Sequence, residues 1–316
     1  MLSARLILLA LLTVFVVCVL LVHLRGRVRL RFDRQLVDHS AVFAPYNLLM
    51  YAFSAVPVRP ILDRGRFPQL DLLQANWQVI RDEATHLFDE GYIRSAAKNN
   101  DASFNSFFKQ GWKRFYLKWY GEPLTSAETL CPKTVALLSS IPSVKAAMFA
   151  LLPPGSKLNP HRDPFAGSLR YHLGLITPNA RSCRIFVDGE EHAWGDGKDV
   201  VFDETYVHWA ENTSDQTRVI LFADVERPLR TRWMSAINHR VGAFMGKITA
   251  SPNTEGETEK TGFINRVFAL SQRKSSSNSF KANFKRRHRK IYKAGKYLGI
   301  VLVLWLIFLA PWPLPS

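Results

Sequence analysis

The sequence is short of cysteine, and this shortage excludes two kinds of small protein fold. Its 316 residues include only Cys18, Cys131 and Cys183. The three lie far apart, their number is odd, and no CxxC pair occurs. A disulfide framework and a cysteine-rich zinc site are therefore excluded as the basis of the fold, and the thiols fit a reducing cytosol. We also find no internal repeat.

Acidic residues are scarce in two stretches that carry most of the net charge of +16. Residues 23–34 hold five arginines against one aspartate, and residues 281–296 hold eight lysines and arginines with no acid. Each stretch adjoins a long apolar run, which favours a membrane surface over a nucleic acid as the partner. We therefore predict no nucleic-acid partner, and no motif indicates a protein partner.

Charged residues are absent from Leu6 to Val22, a run of seventeen residues that reaches about 25 Å as a helix, enough to cross a bilayer core. The alternative is a signal peptide, but no small-x-small cleavage site follows. Residues 297–316 form a second uncharged run, which Pro311 interrupts, so it either crosses the membrane or lies at its surface. Because both basic stretches face the central region, we predict that this region is cytoplasmic and that both termini are outside.

The central region changes from a helical to a β pattern. Residues 72–91 have apolar side chains at helical spacing, and residues 131–140 form a second short helix. We interpret the aromatic-rich residues 104–120 as core strands. Short β-rich runs then alternate with turns and predict a mainly β barrel or sandwich with helices on one face. These runs are residues 144–152, 168–177, 183–187, 199–202 and 218–225. After Pro228 an amphipathic helix either packs on the barrel or lies on lipid.

The stretch NPHRDPFAGSLRYHLGL, residues 159–175, contains a pattern typical of a metal site. His161 and Asp163 are two residues apart at a predicted strand end, so both side chains point the same way. FDETYVHWAEN adds His208 from a later strand. Two histidines and a carboxylate on one face of Fe(II) leave open positions for other ligands. The alternative is a surface loop or cap, which is common for an isolated HxD pair.

Three further residues suggest a carboxylate partner. Arg218 opens the apolar strand RVILFADV, and a buried guanidinium needs an anion. It pairs either with a protein acid or with a small dicarboxylate through its planar fork. Arg170 and His172 share one face of the strand SLRYHLGLIT. This set would suit 2-oxoglutarate bound to iron.

The block HRDPFAGSLRYHLGL…FDETYVHWAENTSDQTRVILFADVERP resembles the aspartyl/asparaginyl β-hydroxylase family over roughly residues 67–228. This resemblance implies a double-stranded β-helix core of the jelly-roll or cupin type, with flanking helices, that uses Fe(II), 2-oxoglutarate and O₂. It implies that His161 and His208 bind iron, that Arg218 holds the far carboxylate of 2-oxoglutarate, and that Arg170 and His172 assist. Animal peptide hydroxylases of the family have glycine at the place of Asp163, which we nonetheless expect to be the third ligand.

The membrane segments extend the resemblance to the bacterial lipid A 2-hydroxylases, an inner-membrane branch of the family. The resemblance implies a lipid A or Kdo-lipid A substrate, hydroxylated at C2 of a secondary acyl chain on the cytoplasmic side. The alternatives are a peptidyl aspartyl/asparaginyl β-hydroxylase, a non-catalytic lipid-binding membrane protein and, more remotely, a zinc hydrolase. Against the last, the sequence places no obvious catalytic base beside the triad.

The expected domain organisation has six parts. They are a membrane anchor at residues 1–24, a basic connector at 25–66, the dioxygenase domain at 67–228, an amphipathic helix with a linker at 229–262, a basic segment at 263–296 and a membrane segment at 297–316.

Overall fold

A computed structural model of the chain describes residues 2–32, 39–93, 101–254, 256–257, 261–275, 287–288 and 291. The chain divides into two units, residues 18–268 and residues 1–17 with 269–316. The first unit holds both sheets and the hydrophobic core. The second contributes described helical residues at 2–17 and 269–275. The predicted C-terminal membrane segment at 297–316 lies outside the described residues.

The helices include the predicted apolar one near the N-terminus. Ten α-helices lie within the described residues: α1 (Leu2–Leu24), α2 (His39–Val42), α3 (Ala44–Ala52), α4 (Asp71–Ala75), α5 (Trp77–Asp89), α6 (Asn105–Phe108), α7 (Thr125–Leu130), α8 (Pro132–Ser139), α9 (Arg232–Thr249) and α10 (Phe263–Ser275). By length and composition, residues 6–24 of α1 suffice to cross a membrane. Pro132 opens α8 at a position where a missing N–H breaks no helical hydrogen bond.

Two antiparallel sheets form the core, as the mainly β prediction requires. The strands are β1 (Ile61–Leu62), β2 (Lys113–Trp119), β3 (Val144–Leu152), β4 (Lys157–His161), β5 (Ser168–Ile176), β6 (Cys183–Val187), β7 (Glu190–Ala193), β8 (Asp199–Phe202), β9 (His208–Asn212) and β10 (Arg218–Glu226). One sheet has the order β1-β8-β5-β10-β3-β2 and the other β4-β9-β6-β7. The eight strands β3 to β10 thus divide between two facing sheets in a jelly roll, which confirms the predicted fold class.

The core lies between the sheets and under helices on the outer face of the larger sheet. Ile80, Ala84 and Leu87 of α5 are fully buried at helical spacing, and α5 packs against β5. Covered on both faces, β5 is buried along nearly its whole length.

Two details differ from the sequence-based expectations. Residues 104–112 are not strand, because α6 and the turns around it precede β2. Phe104 stacks on Trp112 at 4.9 Å between ring centroids, so the aromatic residues fold into a compact cap. In addition, β1 of the larger sheet lies inside the stretch expected to be a connector, and Ile61 pairs with Phe202.

Candidate metal centre

His161 and His208 face each other on neighbouring strands of the smaller sheet. His161 ends β4, His208 begins β9, and the two residues are direct partners in the antiparallel register. Their ring centroids lie 4.2 Å apart. The two histidines are 47 residues apart in sequence, and the pairing of β4 with β9 brings them together as predicted.

Both imidazoles are oriented by backbone carbonyls. Nδ1 of His161 lies 2.7 Å from the carbonyl oxygen of Asn159, and Nδ1 of His208 lies 3.0 Å from that of Tyr206. Each Nδ1 therefore carries the proton and donates it, which leaves a lone pair on each Nε2. A hydrogen bond on one ring nitrogen that frees the other is the usual arrangement for a metal-binding histidine.

Asp163 completes the cluster from a loop rather than from the strand. β4 ends at His161, so the prediction that both residues lie on one strand face is wrong. Instead, the Asp163 N–H donates to the carbonyl oxygen of Glu204 at 3.0 Å. This hydrogen bond connects the loop to the segment that precedes His208. One ligand atom from each of His161, Asp163 and His208 lies within 4.8 Å of the other two.

Arg170 is surrounded by carboxylates. Its guanidinium donates to Asp163 Oδ2 at 3.0 Å and to Glu204, and it pairs with Asp224 at 2.9 Å. It also lies over the Phe222 ring, 3.7 Å from the centroid. The structure thus places Arg170 in the predicted pocket, but it pairs with protein acids, among them the Asp163 carboxylate.

The electrostatics of the cluster suit a cation. Burial raises the pKa of the Asp163 carboxyl, but Arg170 and the two neighbouring histidines lower it by more, so it stays ionised. Burial, reinforced by His161, lowers the pKa of His208 to about 3. A neutral histidine beside a carboxylate offers the lone pairs that a divalent metal requires.

Arg218 is the buried cation that lacks an acid. It is 2% exposed, its guanidinium carbon lies 4.3 Å from the Trp194 ring centroid, and its Nε has no hydrogen-bond partner. Among the described residues, no carboxylate forms an ion pair with it. Burial lowers its pKa to about 10. Arg218 was expected to pair either with a protein acid or with a small dicarboxylate, and the structure favours the second alternative, a site for an external anion.

His172 lies between Arg170 and Arg218 on the same pocket wall. Both of its ring nitrogens are buried and have no hydrogen-bond partner within the part of the chain that the structure describes. Burial, together with the two arginines, holds its pKa well below the usual range. A neutral imidazole with two unused polar atoms can donate one hydrogen bond to a bound oxygen.

One cavity contains all six residues that the sequence predicted. His161, Asp163, Arg170, His172, His208 and Arg218 line it. Its remaining lining is mostly aromatic and aliphatic: Phe104, Phe107, Trp112, Leu158, Ile185, Trp194, Phe202, Trp209, Ala210, Ile220 and Phe222. Phe107 of α6 contacts His161 at 4.8 Å between ring centroids. Sequence reasoning assigned Phe104, Phe107 and Trp112 to core strands and not to the site, and their clustering before β2 was the signal that could have indicated otherwise.

The residues present fit a ferrous ion with 2-oxoglutarate. Two histidines and one carboxylate form the donor set of the two-histidine, one-carboxylate iron site. The orphaned Arg218 guanidinium fits a carboxylate group. His161, Asp163 and His208 would hold the metal, and Arg218 with His172 would hold the cosubstrate. The fold and this cavity define a jelly-roll domain with a candidate His–Asp–His metal centre.

Comparison with known proteins identifies the family of this domain. Residues 74–228 match the family model described as aspartyl/asparaginyl beta-hydroxylase. The match falls within residues 67–228, the region in which the sequence motifs predicted this resemblance.

Two curated relatives have different named activities. The chain is 33% identical over 178 residues to the ornithine lipid ester-linked acyl 2-hydroxylase of Rhizobium tropici, covering 54% of this chain and 62% of the relative. It is 29% identical over 161 residues to human aspartyl/asparaginyl beta-hydroxylase, covering 49% of this chain but only 21% of the human protein. The chain therefore spans less than two thirds of either relative. Among solved structures, a Pseudomonas putida prolyl-4-hydroxylase matches with a TM-score of 0.32 and 20% identity, covering 49% of this chain and 87% of that one.

Proposed function

We propose that this protein is a membrane-anchored Fe(II)/2-oxoglutarate-dependent dioxygenase that hydroxylates an acyl chain of a membrane lipid. One observation carries the proposal. A cluster of two histidines and a carboxylate shares a largely apolar cavity with a buried arginine that has no acidic partner among the described residues. That combination supports a metal and a carboxylate cosubstrate side by side.

The chain's own residues position the reactants. His161, Asp163 and His208 hold the metal, and Arg218 binds the far carboxylate of the cosubstrate. Arg170 keeps the Asp163 carboxylate ionised and in place through their 3.0 Å contact. When bound, iron and 2-oxoglutarate together supply the oxidising chemistry that side chains lack. The aromatic lining excludes water from the site, which protects reactive species from side reactions.

The lining of the cavity supports an aliphatic substrate. Around the metal cluster, Phe107, Ile185, Trp209 and Ile220 present carbon surface. No lysine, and no acid apart from Asp163, lines the cavity within the described residues. A methylene chain gains from leaving water for such a surface, by about 0.8 kcal/mol per CH₂. An aspartyl or asparaginyl side chain would instead need polar partners.

Exposed apolar side chains support a position at the bilayer surface. On α9, Trp233, Ile237 and Phe244 are 55%, 39% and 61% exposed and lie at helical spacing. The helix contains no acid, and its exposed polar residues include Arg232, Arg240 and Lys247. An amphipathic helix with an apolar stripe and basic flanks is typical of contact with an anionic membrane. Together with α1, this surface supports a membrane-bound enzyme.

The headgroup of the lipid is the finer part of the proposal. The sequence-based prediction is lipid A or Kdo-lipid A, hydroxylated at C2 of a secondary acyl chain at the cytoplasmic face of the bacterial inner membrane. The rhizobial relative is named for an ester-linked acyl chain of ornithine lipid, so that lipid is the second candidate. Both candidates share 2-hydroxylation of an acyl chain on a membrane lipid, which is the activity that we propose.

Mass spectrometry of cellular lipids tests the proposal. Total lipid and lipid A are extracted from cells that lack the protein and from cells that express it or its His208→Ala variant. We expect one oxygen atom added to one acyl chain of the lipid only with the unmodified protein, and fragmentation assigns the lipid, the chain and the carbon. A peptide substrate is the competing function, because the human relative is named for one. Unchanged lipids together with oxidised Asp or Asn in proteins would replace our proposal by that one.

A further inference from the structure

The last turn of the apolar helix α1 is held by the residue between two candidate metal ligands. Arg162 separates His161 from Asp163, and its side chain is 4% exposed. Its guanidinium donates to the carbonyl oxygens of Val22 at 2.5 Å and Arg25 at 3.0 Å. The last carbonyls of a helix lack internal partners and carry partial negative charge, so a cation there satisfies and stabilises them. Arg162 therefore caps α1.

The second ligand-bearing segment holds the same helix end. Arg25 follows α1 and donates to Asp203 Oδ2 and to Thr205 Oγ1, both at 2.6 Å. Arg227 also donates to Asp203, at 2.9 Å. The Asp203 side chain is 1% exposed, and the segment that it opens leads directly to His208. Loss of one partner of a buried ion pair is costly, so this contact is a firm attachment.

The chain after Arg25 is fixed as well. The Asp188 carboxylate, at the end of β6, accepts the N–H groups of Arg27 at 2.7 Å and Val28 at 2.8 Å. Gly26 lies between these attachments with φ +87°, and a Cβ there would lie 2.6 Å from Asp188 Oδ1. Only glycine fits this close turn without displacement. The end of α1 and the residues that follow it are thus attached to the domain by a continuous set of hydrogen bonds.

On the other side of α1, packing completes the attachment. Val19 and Val22 are 3% and 2% exposed and pack against Ala41 and Ala44 of α2 and α3. Arg25, expected from its position to meet lipid headgroups, is instead largely buried against Tyr51 and Asp203. Within residues 18–28 no unattached linker separates the helix end from the domain.

We infer that the end of the apolar helix supports the metal site, with Arg162 and Arg25 as positioning residues. Both ligand-bearing segments, residues 161–163 and 203–208, are attached to the same helix end, and the Asp163 N–H joins them at Glu204. Displacement of the helix end would release both segments at once. Metal affinity therefore depends on the contacts that hold the C-terminal end of α1 against the domain. This inference rests on the proposed metal site but is independent of which substrate is hydroxylated.

Cobalt(II) binding to the full-length protein in detergent, without oxygen, tests the inference. The absorption bands of Co(II) report the geometry of its ligands, and a titration gives the affinity. We expect Arg162→Ala to weaken Co(II) binding roughly ten- to hundred-fold and to alter the bands, as loss of groups that orient metal ligands does elsewhere. Arg162→Lys should recover part of both, because one cation still reaches the carbonyls. Arg184→Ala is the matched control, since that arginine of β6 pairs with Glu191 and Glu211 and lies over the Phe186 ring, and among the described residues no hydrogen bond or ion pair joins its side chain to α1 or to the candidate metal ligands.

A second variant covers the case in which Arg162→Ala does not fold. Arg25→Lys keeps the charge beside Asp203 but loses the fork that also reaches Thr205, and we expect weaker Co(II) binding with an altered spectrum. Wild-type affinity and spectrum in a folded Arg162→Ala protein, or in Arg25→Lys when the alanine variant is unfolded, would overturn the inference. Normal lipid oxidation in those variants would leave the proposed function intact. Absent lipid oxidation with normal Co(II) binding in the unmodified protein would reject the lipid function alone.

Discussion

The guanidinium of Arg218 lies over the ring of Trp194, 4.3 Å from its centroid, and is buried without an acidic partner among the described residues. An aromatic face stabilises a cation only weakly compared with a carboxylate. The pocket is therefore electrostatically incomplete until an anion enters. The first prediction follows from this geometry.

Arg218→Ala should raise the 2-oxoglutarate concentration needed for half-maximal succinate release by roughly ten- to a hundred-fold, because a charge-assisted hydrogen bond contributes about 1.5–3 kcal/mol. Arg218→Lys should recover only part, since an ammonium replaces a planar fork. Turnover against cosubstrate concentration measures both. Equal requirements in all three proteins would return Arg218 to a purely structural role.

The role of Asp163 separates two geometries of the metal site. His161→Ala and His208→Ala should each abolish iron binding while the protein still folds. If Asp163 is the third ligand, as we expect, Asp163→Ala and Asp163→Gly should lose most iron and most activity. Asp163→Glu should restore little, because the longer side chain misplaces the carboxylate. Substantial iron content and succinate release in Asp163→Gly would instead indicate a site with two histidines.

The metal-free protein should lose stability below neutral pH. Burial depresses the pKa of His208 to about 3 and that of His172 well below its usual value, whereas both titrate near 6.5 when unfolded. The unfolded state therefore binds more protons below about pH 6.5, and the free energy of unfolding falls as the pH decreases, by up to about 1.4 kcal/mol per pH unit for each group. Urea unfolding at pH 7.5, 6.5 and 5.5 measures the slope. The slope should be smaller in His208→Gln, and an identical slope would contradict this assignment.

The apolar stripe of α9 should matter only when the substrate is in a bilayer. The double substitution of Trp233 and Phe244 by serine removes two side chains that are more than half exposed, so folding should be unaffected. We expect slower hydroxylation of lipid in anionic vesicles and unchanged hydroxylation of the same lipid in detergent micelles. His239→Ser, at an exposed position on the flank of the same helix, is the control. An equal loss of hydroxylation rate in micelles would show that these side chains support catalysis itself and not contact with the bilayer.

Topology provides the last prediction. A reporter fused to the N-terminus should be active in the periplasm, while the central domain should resist protease added outside, because the basic residues lie on the domain side of α1. The same periplasmic result is expected for a C-terminal reporter. A cytoplasmic C-terminal reporter would remove the second crossing and leave the first one intact.

The sequence alone was enough for the mainly β class and for selecting six polar residues that the structure brings into one cavity. Alternating apolar runs between turns mark strands wherever one face is buried, and β3, β5, β6, β8 and β10 lie within a residue of their predicted bounds. His161 and His208 could be paired from their motifs, because metal ligands of this type recur at strand ends. The family motifs added the prediction that Arg218 holds the far carboxylate of 2-oxoglutarate.

Tertiary structure alone decided how these residues are supported. Strand pairing placed His208 opposite His161, a loop contact to Glu204 placed Asp163, and the fold turned Arg170 towards three acids. Arg25 and Arg162 appeared in the sequence only as two more positive charges, yet Arg162 is buried against the end of α1 and Arg25, which follows that helix, is largely buried against Asp203. Partners that are more than a hundred residues apart in sequence leave no periodic pattern, so only the folded chain shows that the end of α1 contacts both segments that carry the candidate metal ligands.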